Sequence, residues 1–189
     1  MKLQWKPGTM VYPSPAALVS CGLYPGGESN LITVAWTGTI CTNPPMLYIS
    51  VRPSRHSYSI IKKNMEFTLN LTSADMVRAT DWCGVKSGRE FNKWHETGLH
   101  PEAGVNVASP SVAESPLSIE CKVREIISLG SHDMFLADVV GLLADEKYID
   151  PQTGAFDLGK AKLTAWCHGH YYSLGEMLGH FGFSIKKKQ

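Results

Sequence analysis

The sequence predicts a mainly β protein, an antiparallel barrel interrupted by short helices. About six segments alternate apolar and polar residues with the period of two that is typical of strands, and they come in pairs joined by short turns. The helical patterns are short and fall between these pairs. They lack the regular strand–helix–strand alternation of a doubly wound parallel sheet, so an antiparallel barrel fits better.

The first two predicted strands form a hairpin. Residues 15–24 and 31–36 are the strand segments, and residues 25–30 between them contain the proline, glycines and asparagine expected of a turn. A hairpin of this kind buries one face and needs further strands to cover that face.

A polar segment rich in threonine, residues 36–45, is predicted to be a loop that ends in a Pro-Pro turn. Residues 46–52 alternate as a strand. Ser54 is the expected N-cap of a helix over residues 55–64, because serine is favoured at that position. Residues 66–71 alternate again and predict the next strand.

The middle of the chain is predicted to be helical and irregular. Ser73 is expected to cap a helix that stops at Gly84, since glycine suits a left-handed C-terminal residue. The Ser-x-x-Glu pattern at residues 87–90 predicts the start of a second helix, which would end near Gly98.

Two long strands follow, the first with clear alternation over residues 117–123 and the second over residues 134–143, and a turn at residues 130–133 lies between them. The alternation slips at residues 125–127, which predicts a β-bulge. A second Ser-x-x-Glu pattern at residues 173–176 predicts a short C-terminal helix, followed by a tail that contains three lysines, residues 186–188.

Composition restricts the class of protein. The length of 189 residues predicts a single domain over residues 1–189. Eighteen Lys and Arg residues against 17 Asp and Glu residues give a net charge of +1, which argues against nucleic-acid and membrane partners. Because the N-terminus lacks an apolar leader and no stretch approaches ~18 apolar residues, a cytoplasmic location is expected. The five scattered cysteines contain no C-x-x-C pair, so neither structural zinc nor disulfides are expected.

Residues 50–57 form a candidate phosphate site. Ser50 and Arg52 lie at positions i and i+2 of a strand and therefore project from the same face. The helix that follows would present free N–H groups and a positive dipole end, with Ser57 in its first turn. Arg55 could donate two hydrogen bonds to one phosphate. An exposed strand edge followed by an ordinary capped helix is the alternative, and the spacing leaves both open.

The polar segment at residues 36–45 is a second candidate. Gly38 would let the backbone approach a flat ligand closely. Donors and acceptors suited to the edge of a polar heterocycle such as a flavin come from Thr37, Thr39, Thr42 and Asn43. Taken alone, this segment is better interpreted as a plain polar loop.

Three other patterns are weaker. Lys86, Arg89 and Lys93 surround a predicted helix start and could reach an anion, although a solvated helix is the commoner explanation. His132 lies in a turn, where a functional imidazole and a purely structural turn residue are both plausible. Residues 167–170 (C-H-G-H) look like part of a metal site, but no carboxylate completes it, and no metal is expected. Motifs for nucleophilic, zinc-protease and dinucleotide-binding sites are missing, so any catalysis would depend on a bound cofactor.

Several short sequence motifs follow one another between about residues 10 and 145. They are residues 33–36 (T-V-A-W) with 43–45 (N-P-P), 49–55 (I-S-V-R-P-S-R), 67–71 (F-T-L-N-L), 81–89 (D-W-C-G-V-K-S-G-R) with Lys93, 120–123 (E-C-K-V) and 130–133 (G-S-H-D). As an ordered set they resemble the flavin reductase-like, FMN-binding split-barrel family and its flavoredoxin-type branch. The resemblance implies an antiparallel Greek-key split barrel that forms a homodimer with one FMN per subunit at the interface. It also implies electron donation by NAD(P)H or by a reduced iron–sulfur protein.

On this chain, the resemblance implies that residues 50–57 hold the ribityl phosphate and residues 36–43 line the isoalloxazine ring. It places His132 near the flavin, where a hydrogen-bond donor could orient a nicotinamide or a substrate. The cofactor-binding set that it implies is Trp36, Thr37, Gly38, Thr39, Thr42, Asn43, Ser50, Val51, Arg52, Arg55, Ser57, Ser87, Gly88 and Lys93. Residues 90–92 and 137–138 depart from the family pattern, so no substrate is named.

The hypothesis that follows is an FMN-dependent oxidoreductase of the flavin reductase type, or a flavoredoxin-type electron-transfer protein. The alternative is a non-catalytic split barrel that binds a ligand or a partner protein. Binding of single-stranded nucleic acid would need a basic, aromatic face, which the nearly neutral composition argues against.

Overall fold

A computed structural model describes residues 1–185. In chain order, its strands are β1 (Ser14–Pro15), β2 (Ala17–Gly22), β3 (Ser29–Val34), β4 (Thr37–Cys41), β5 (Met46–Val51), β6 (Glu66–Leu71), β7 (Pro101–Glu102), β8 (Ser111–Val112), β9 (Leu117–Ser128), β10 (Asp133–Ala144), β11 (Thr164–Cys167) and β12 (His170–Ser173). Its α-helices are α1 (His56–Asn64), α2 (Val77–Val85), α3 (Lys93–Thr97) and α4 (Leu158–Ala161). Single 3₁₀ turns lie at Ala74–Met76, Glu146–Tyr148 and Phe183–Ile185.

Seven strands form one antiparallel sheet in the order β3-β2-β6-β9-β10-β5-β4. Its two edge strands, β3 and β4, follow each other in the chain with only residues 35–36 between them. Because two residues span only a few ångströms, the two edges must lie close together, and the sheet curls into a barrel. The edges do not pair with each other, which leaves the barrel split. This is the predicted mainly β fold, an antiparallel Greek-key split barrel with short helical insertions.

The barrel interior is filled by alternate residues of its strands. Phe67 on β6 and Phe135 on β10 are fully buried, and the α1 residues Tyr58 and Ile61 join the same core from one end. The ring of Tyr58 meets that of Phe135 edge to face, with centroids 5.5 Å apart. This packing fixes the position of α1 against the barrel.

A second, smaller core lies between β2 and β3 and the helices α2 and α3. Leu18 and Leu31 contribute the sheet side, and Met76, Cys83 and Trp94 contribute the helical side. The connection between α2 and α3, residues 86–92, is thereby held next to the start of β3 and the start of α1. This placement brings three separate parts of the chain to one site.

The predicted polar loop at residues 36–45 is wrong for its first half. Thr37–Cys41 is the edge strand β4, and Thr37 pairs with Ile49 of β5. Threonine and other polar residues are compatible with an exposed edge strand as well as with a loop, so the composition does not separate the two.

Three predicted caps are also corrected. The N-cap of α1 is Arg55 rather than Ser54, and no side chain caps it. Ser87 opens a turn in which its carbonyl accepts from the N–H groups of Glu90 and Phe91, and the helix itself starts later, capped by Asn92. Gly84 lies inside α2, which continues to Val85.

The remaining differences concern β9 and the C-terminal part. The bulge in β9 lies at Arg124, one residue before the predicted slip. Residues 174–180 contain no helix, so the second Ser-x-x-Glu pattern does not start one. The lysines at 186–188 lie outside the described residues. Within residues 1–185, no helix has the length and apolar character needed to cross a lipid bilayer.

Candidate cofactor site

Two adjoining cavities lie beside the split edge of the barrel. The cationic cleft, of about 480 Å³, lies between the start of α1, the start of β3 and residues 86–93. The aromatic trough, of about 280 Å³, lies along the end of β3 and the end of β5. They share the lining residues Ile32, Arg52 and Arg55, so the two cavities are adjacent.

Positive charge dominates the cationic cleft. Its cationic lining residues are Arg52, Arg55, Lys86, Arg89 and Lys93. Within residues 1–185, none of these five side chains forms an ion pair with a carboxylate. Cations that lack carboxylate partners and converge on one cavity favour an anionic ligand.

The start of α1 adds backbone donors to the cleft. Arg55, the N-cap, has an extended backbone, and no side chain accepts hydrogen bonds from the first turn. The N–H groups of His56 and Ser57 are therefore available to a ligand, and both residues line the cleft. The local sequence explains the missing cap, because Arg55 occupies the position where a serine or aspartate side chain would accept.

A buried polar contact sets the floor of the cleft. The Asn30 amide donates from Nδ2 to Ser57 Oγ over 2.8 Å, and both side chains are buried. Gly88 lies directly against Asn30, because a Cβ added at Gly88 would come within 2.3 Å of Asn30 Oδ1. A glycine is therefore required at position 88 for the turn to approach β3.

Lys93 is a buried cation at the edge of the cleft. Its residue is only 4% exposed, and its Nζ donates to the Cys83 carbonyl oxygen over 2.6 Å. Burial lowers the pKa of Lys93. In the described part of the chain this is the one hydrogen bond that the Lys93 ammonium group donates, so two of its three N–H donors remain for a ligand in the cleft.

Aromatic side chains line the trough. Trp36 and Trp166 pack edge to face with ring centroids 5.8 Å apart, and Tyr12 packs against both. Tyr171 closes another side, where its hydroxyl donates to Asp81 over 3.2 Å. Burial, with the negative charge of Asp81, raises the pKa of Tyr171 to about 12, so its hydroxyl keeps its proton at neutral pH.

His132 lines the same trough from the turn before β10. Its Nδ1 lies 2.9 Å from Ser131 Oγ. Partial burial lowers the pKa of His132, and the positive charges of Arg52 and Arg55 lower it further. The imidazole is therefore predominantly neutral at pH 7 and can act as a hydrogen-bond donor or acceptor.

Most of the predicted site residues come together. In the cationic cleft lie Arg52, Arg55, Ser57, Ser87, Gly88 and Lys93, and in the trough lie Trp36, Ser50, Val51, Arg52, Arg55 and His132. Ser50 thus lines the trough beside Arg52. It does not line the cleft, where the other residues of the predicted phosphate site lie. The Ser57 hydroxyl accepts from Asn30, so its side chain is engaged within the protein.

The residues after Trp36 that were predicted to bind the ring line neither cavity. The Thr37 hydroxyl is buried and donates to the Tyr48 carbonyl oxygen over 2.6 Å. Gly38 packs against the Tyr48 ring, which a Cβ would approach to 3.2 Å. Thr39, Thr42 and Asn43 lie exposed on β4 and in the turn after it. The reason is that β4 pairs with β5 and carries these residues along the edge, away from the trough.

Several lining residues were not predicted. Asn30, Trp166 and Tyr171 reach the site through the fold, and no nearby motif marks them. Trp166 and Tyr171 arrive on the β11–β12 hairpin, whose two-residue turn is His168 and Gly169, both with positive φ. His168 therefore lies in the turn, and His170 lies on β12. Among residues 1–185, no group of three or more His, Cys, Asp or Glu side chains could hold a metal ion.

Comparison with protein-family models and solved structures agrees with this architecture. Residues 9–175 match the flavin reductase like domain. Flavoredoxin of Desulfovibrio vulgaris (Miyazaki F) superposes with a TM-score of 0.90 at 29% identity, covering 98% of this chain and 100% of that one. Flavoredoxin from Methanosarcina acetivorans gives 0.87 at 26% identity over the same shares of both chains.

Relatives with similar sequences support the same family assignment. An uncharacterized protein of Pyrococcus abyssi (strain GE5 / Orsay) is 30% identical over 154 residues, which are 82% of this chain and 83% of that protein. The FMN reductase (NADH) RutF of Serratia proteamaculans (strain 568) is 22% identical over 126 residues, 65% of this chain and 67% of that protein. The chain belongs to the flavin reductase-like family, and its resemblance to the flavoredoxin-type branch is confirmed.

Proposed function

We propose that this chain is an FMN-dependent oxidoreductase that takes electrons from NAD(P)H or from a reduced iron–sulfur protein. The observation that carries the proposal is that a cationic cleft adjoins an aromatic trough, with Arg52 and Arg55 lining both. FMN has the matching shape, a flat ring system joined by a ribityl chain to a phosphate. The flavin reductase-like family and the RutF relative point to the same cofactor class.

The residues fit the phosphate well. A phosphate monoester carries about two negative charges at neutral pH. The cleft offers arginine forks at Arg52 and Arg55, the Lys93 ammonium group and the open N–H groups at the start of α1. In this proposal the close approach of Gly88 to Asn30 keeps the cleft narrow enough for several donors to reach one phosphate.

The trough is assigned to the isoalloxazine ring. When bound, the flavin would supply reversible acceptance of a hydride or of single electrons. Trp36 and Trp166 would cover apolar parts of the ring and exclude water. Arg52, which lines both cavities, would contact the ring and the phosphate and so fix their relative position. This assignment replaces the contacts expected from Thr37, Gly38, Thr39, Thr42 and Asn43, which lie outside the trough.

His132 has a secondary part in the proposal. Its neutral imidazole faces the trough and could donate one hydrogen bond to a nicotinamide or to another electron donor. No acid or base is required for hydride transfer to a flavin, so His132 would orient the donor rather than carry a proton.

A homodimer is part of the same proposal. Both terminal segments expose large apolar side chains, among them Trp5 at 74%, Leu178 at 94% and Phe181 at 107% exposure. Apolar exposure on this scale supports association with a second copy. Light scattering on a size-exclusion column at micromolar concentration would report the mass of the particle.

The absorbance spectrum of the purified protein tests the function. We expect a yellow protein, or a colourless one that takes up added FMN, with a flavin band that bleaches during anaerobic titration with NADH, NADPH or reduced ferredoxin. A protein that cannot take up FMN would contradict the proposal. Stable uptake without bleaching by any donor would favour the non-catalytic alternative.

A further inference from the structure

Asn30 is a buried polar residue at the floor of the cationic cleft. It is 5% exposed and pairs with Cys21 of β2 in the barrel sheet. Its two chain neighbours are anchored, because the Ser29 hydroxyl accepts from Trp94 Nε1 over 3.1 Å and Leu31 is fully buried. The protein itself therefore fixes the backbone of Asn30, and no ligand is needed to place it.

The side-chain amide of Asn30 is held between two elements of the cleft. Its Nδ2 donates to Ser57 Oγ on one side, over 2.8 Å. On the other side lies Gly88, where an added Cβ would come within 2.3 Å of Asn30 Oδ1 and 2.8 Å of its Nδ2. An amide nitrogen can only donate, whereas an ionised carboxylate of the same shape can only accept. With asparagine here, the contact occupies a lone pair of the Ser57 oxygen and leaves the Ser57 proton free.

The Ser57 proton has no strong acceptor within the protein. Serine hydroxyls in helices often donate to a carbonyl oxygen three or four residues earlier, as Ser59 does to His56 over 3.1 Å. In the described residues, Ser57 forms no such bond. The neighbouring Cys21 thiol is a weak acceptor, and since burial raises its pKa to about 12, it carries no charge at neutral pH. A charged phosphate oxygen in the cleft is the stronger acceptor.

We propose that Asn30 is a positioning residue for the flavin phosphate: by donating to Ser57 Oγ, it directs the Ser57 hydroxyl to donate to a phosphate oxygen in the cleft. The inference rests on the proposed placement of the FMN phosphate there. The backbone N–H of Ser57 is open in the same first turn of α1, so this one residue supplies two donors to the phosphate. Asn30 acts through Ser57, and its effect is confined to the phosphate half of the ligand.

A double-mutant cycle tests this role. Apo forms of the wild type, Asn30→Ala, Ser57→Ala and the double variant are titrated with FMN and with riboflavin by flavin fluorescence. Ser57→Ala should weaken FMN binding about tenfold, the scale of a lost hydrogen bond to a charged group. Asn30→Ala should weaken it by a similar factor, and the double variant should lose little more than either single variant, because both changes remove the same hydrogen bond. Riboflavin lacks the phosphate, so its Kd should change less than about twofold.

Two further variants sharpen the result. Asn64→Ala is the matched control, because Asn64 lies at the other end of α1 and lines neither the cleft nor the trough, so the Kd of FMN should stay within about twofold of the wild type. Asn30→Asp keeps the shape of the side chain but replaces the donor by a charged acceptor. It should weaken FMN binding more than Asn30→Ala does, because it draws the Ser57 proton away from the phosphate and also repels the phosphate.

Three outcomes would overturn the inference. Additive losses, about a hundredfold in the double variant, would show that Asn30 and Ser57 act separately. Equal losses of FMN and riboflavin affinity would show a general disturbance of the site, and wild-type FMN affinity in Asn30→Ala or Asn30→Asp would show no role for the amide. Failure of the wild-type apo protein to bind FMN would instead remove the proposed function itself.

Discussion

Asp133 anchors the turn that carries His132 into the trough. The Tyr58 hydroxyl donates to its Oδ2 over 2.5 Å, and the Ser128 hydroxyl donates to its Oδ1 over 2.9 Å. These hydrogen bonds, first that of Tyr58, lower the pKa of Asp133 below its ordinary value of 3.8. The folded protein thus binds this proton less readily than the unfolded chain does, and the ionised carboxylate contributes to stability.

The sign of this contribution sets a pH dependence. A depressed pKa adds stability that is present above about pH 4 and lost as the pH falls through the folded-state pKa. We expect Tyr58→Phe to lower the melting temperature at pH 7, and we expect this deficit to shrink as the pH falls below about 4. Thermal melts of both proteins across this range measure the difference. Tyr172→Phe, an exposed tyrosine, should leave the melting temperature unchanged, and a Tyr58→Phe deficit that is constant with pH would contradict the role given to Asp133.

The first turn of helix α1 lines the proposed phosphate site, and no side chain caps the N-terminus of this helix. Its N-cap position is occupied by Arg55, whose side chain accepts no hydrogen bond from the first turn. Arg55→Asp would supply an acceptor and a favourable charge at the helix N-terminus, which should raise the free energy of unfolding of the apo protein by about 1 kcal/mol. The same change removes a cation from the cleft and adds an anion, so FMN affinity should fall at least tenfold.

Arg78→Asp is the control for that variant. Arg78 is exposed in the first turn of α2 and lines neither the cleft nor the trough, so the same charge change should leave the Kd of FMN within about twofold. Urea denaturation and flavin titration of both variants give the two quantities. Retained FMN affinity in Arg55→Asp would show that the start of α1 does not hold the phosphate.

Local patterns predicted the barrel strands well and the caps poorly. The alternation in residues 46–52 and 66–71 is a direct result of burying one face of a strand, so it can be recognised in a single segment. Ser-x-x-Glu at residues 87–90 and 173–176 is a short pattern that also occurs in turns and in extended chain. Whether the pattern starts a helix depends on whether the residues after it can bury one face of that helix. In α3 the buried residues are Lys93 and Trp94, so the helix begins there and not within residues 87–90.

At the scale of the whole molecule, the site is assembled by closure of the barrel. Residues 50–57 could be assigned to an anion from sequence because a strand end and a helix start are neighbours in the chain. Asn30 comes from the other edge of the sheet, and Trp166 comes from a hairpin more than 100 residues later. No local pattern encodes such contacts, which explains why the sequence pointed to residues 36–43 for the ring and could not identify Asn30 or Trp166 as lining residues.

The most direct test of the central claim is a titration of apo protein with FMN, performed on the wild type, Arg52→Ala and Arg89→Ala. Arg52 lines both the cleft and the trough, whereas Arg89 lines the cleft and donates from Nη1 to the Ser54 carbonyl oxygen over 3.1 Å. We predict one FMN bound per chain in the wild type, a loss of affinity of at least tenfold in Arg52→Ala, and a smaller loss in Arg89→Ala. Equal and negligible effects of the two substitutions, or no binding of FMN by the wild type, would contradict the assignment of this cleft to the flavin phosphate.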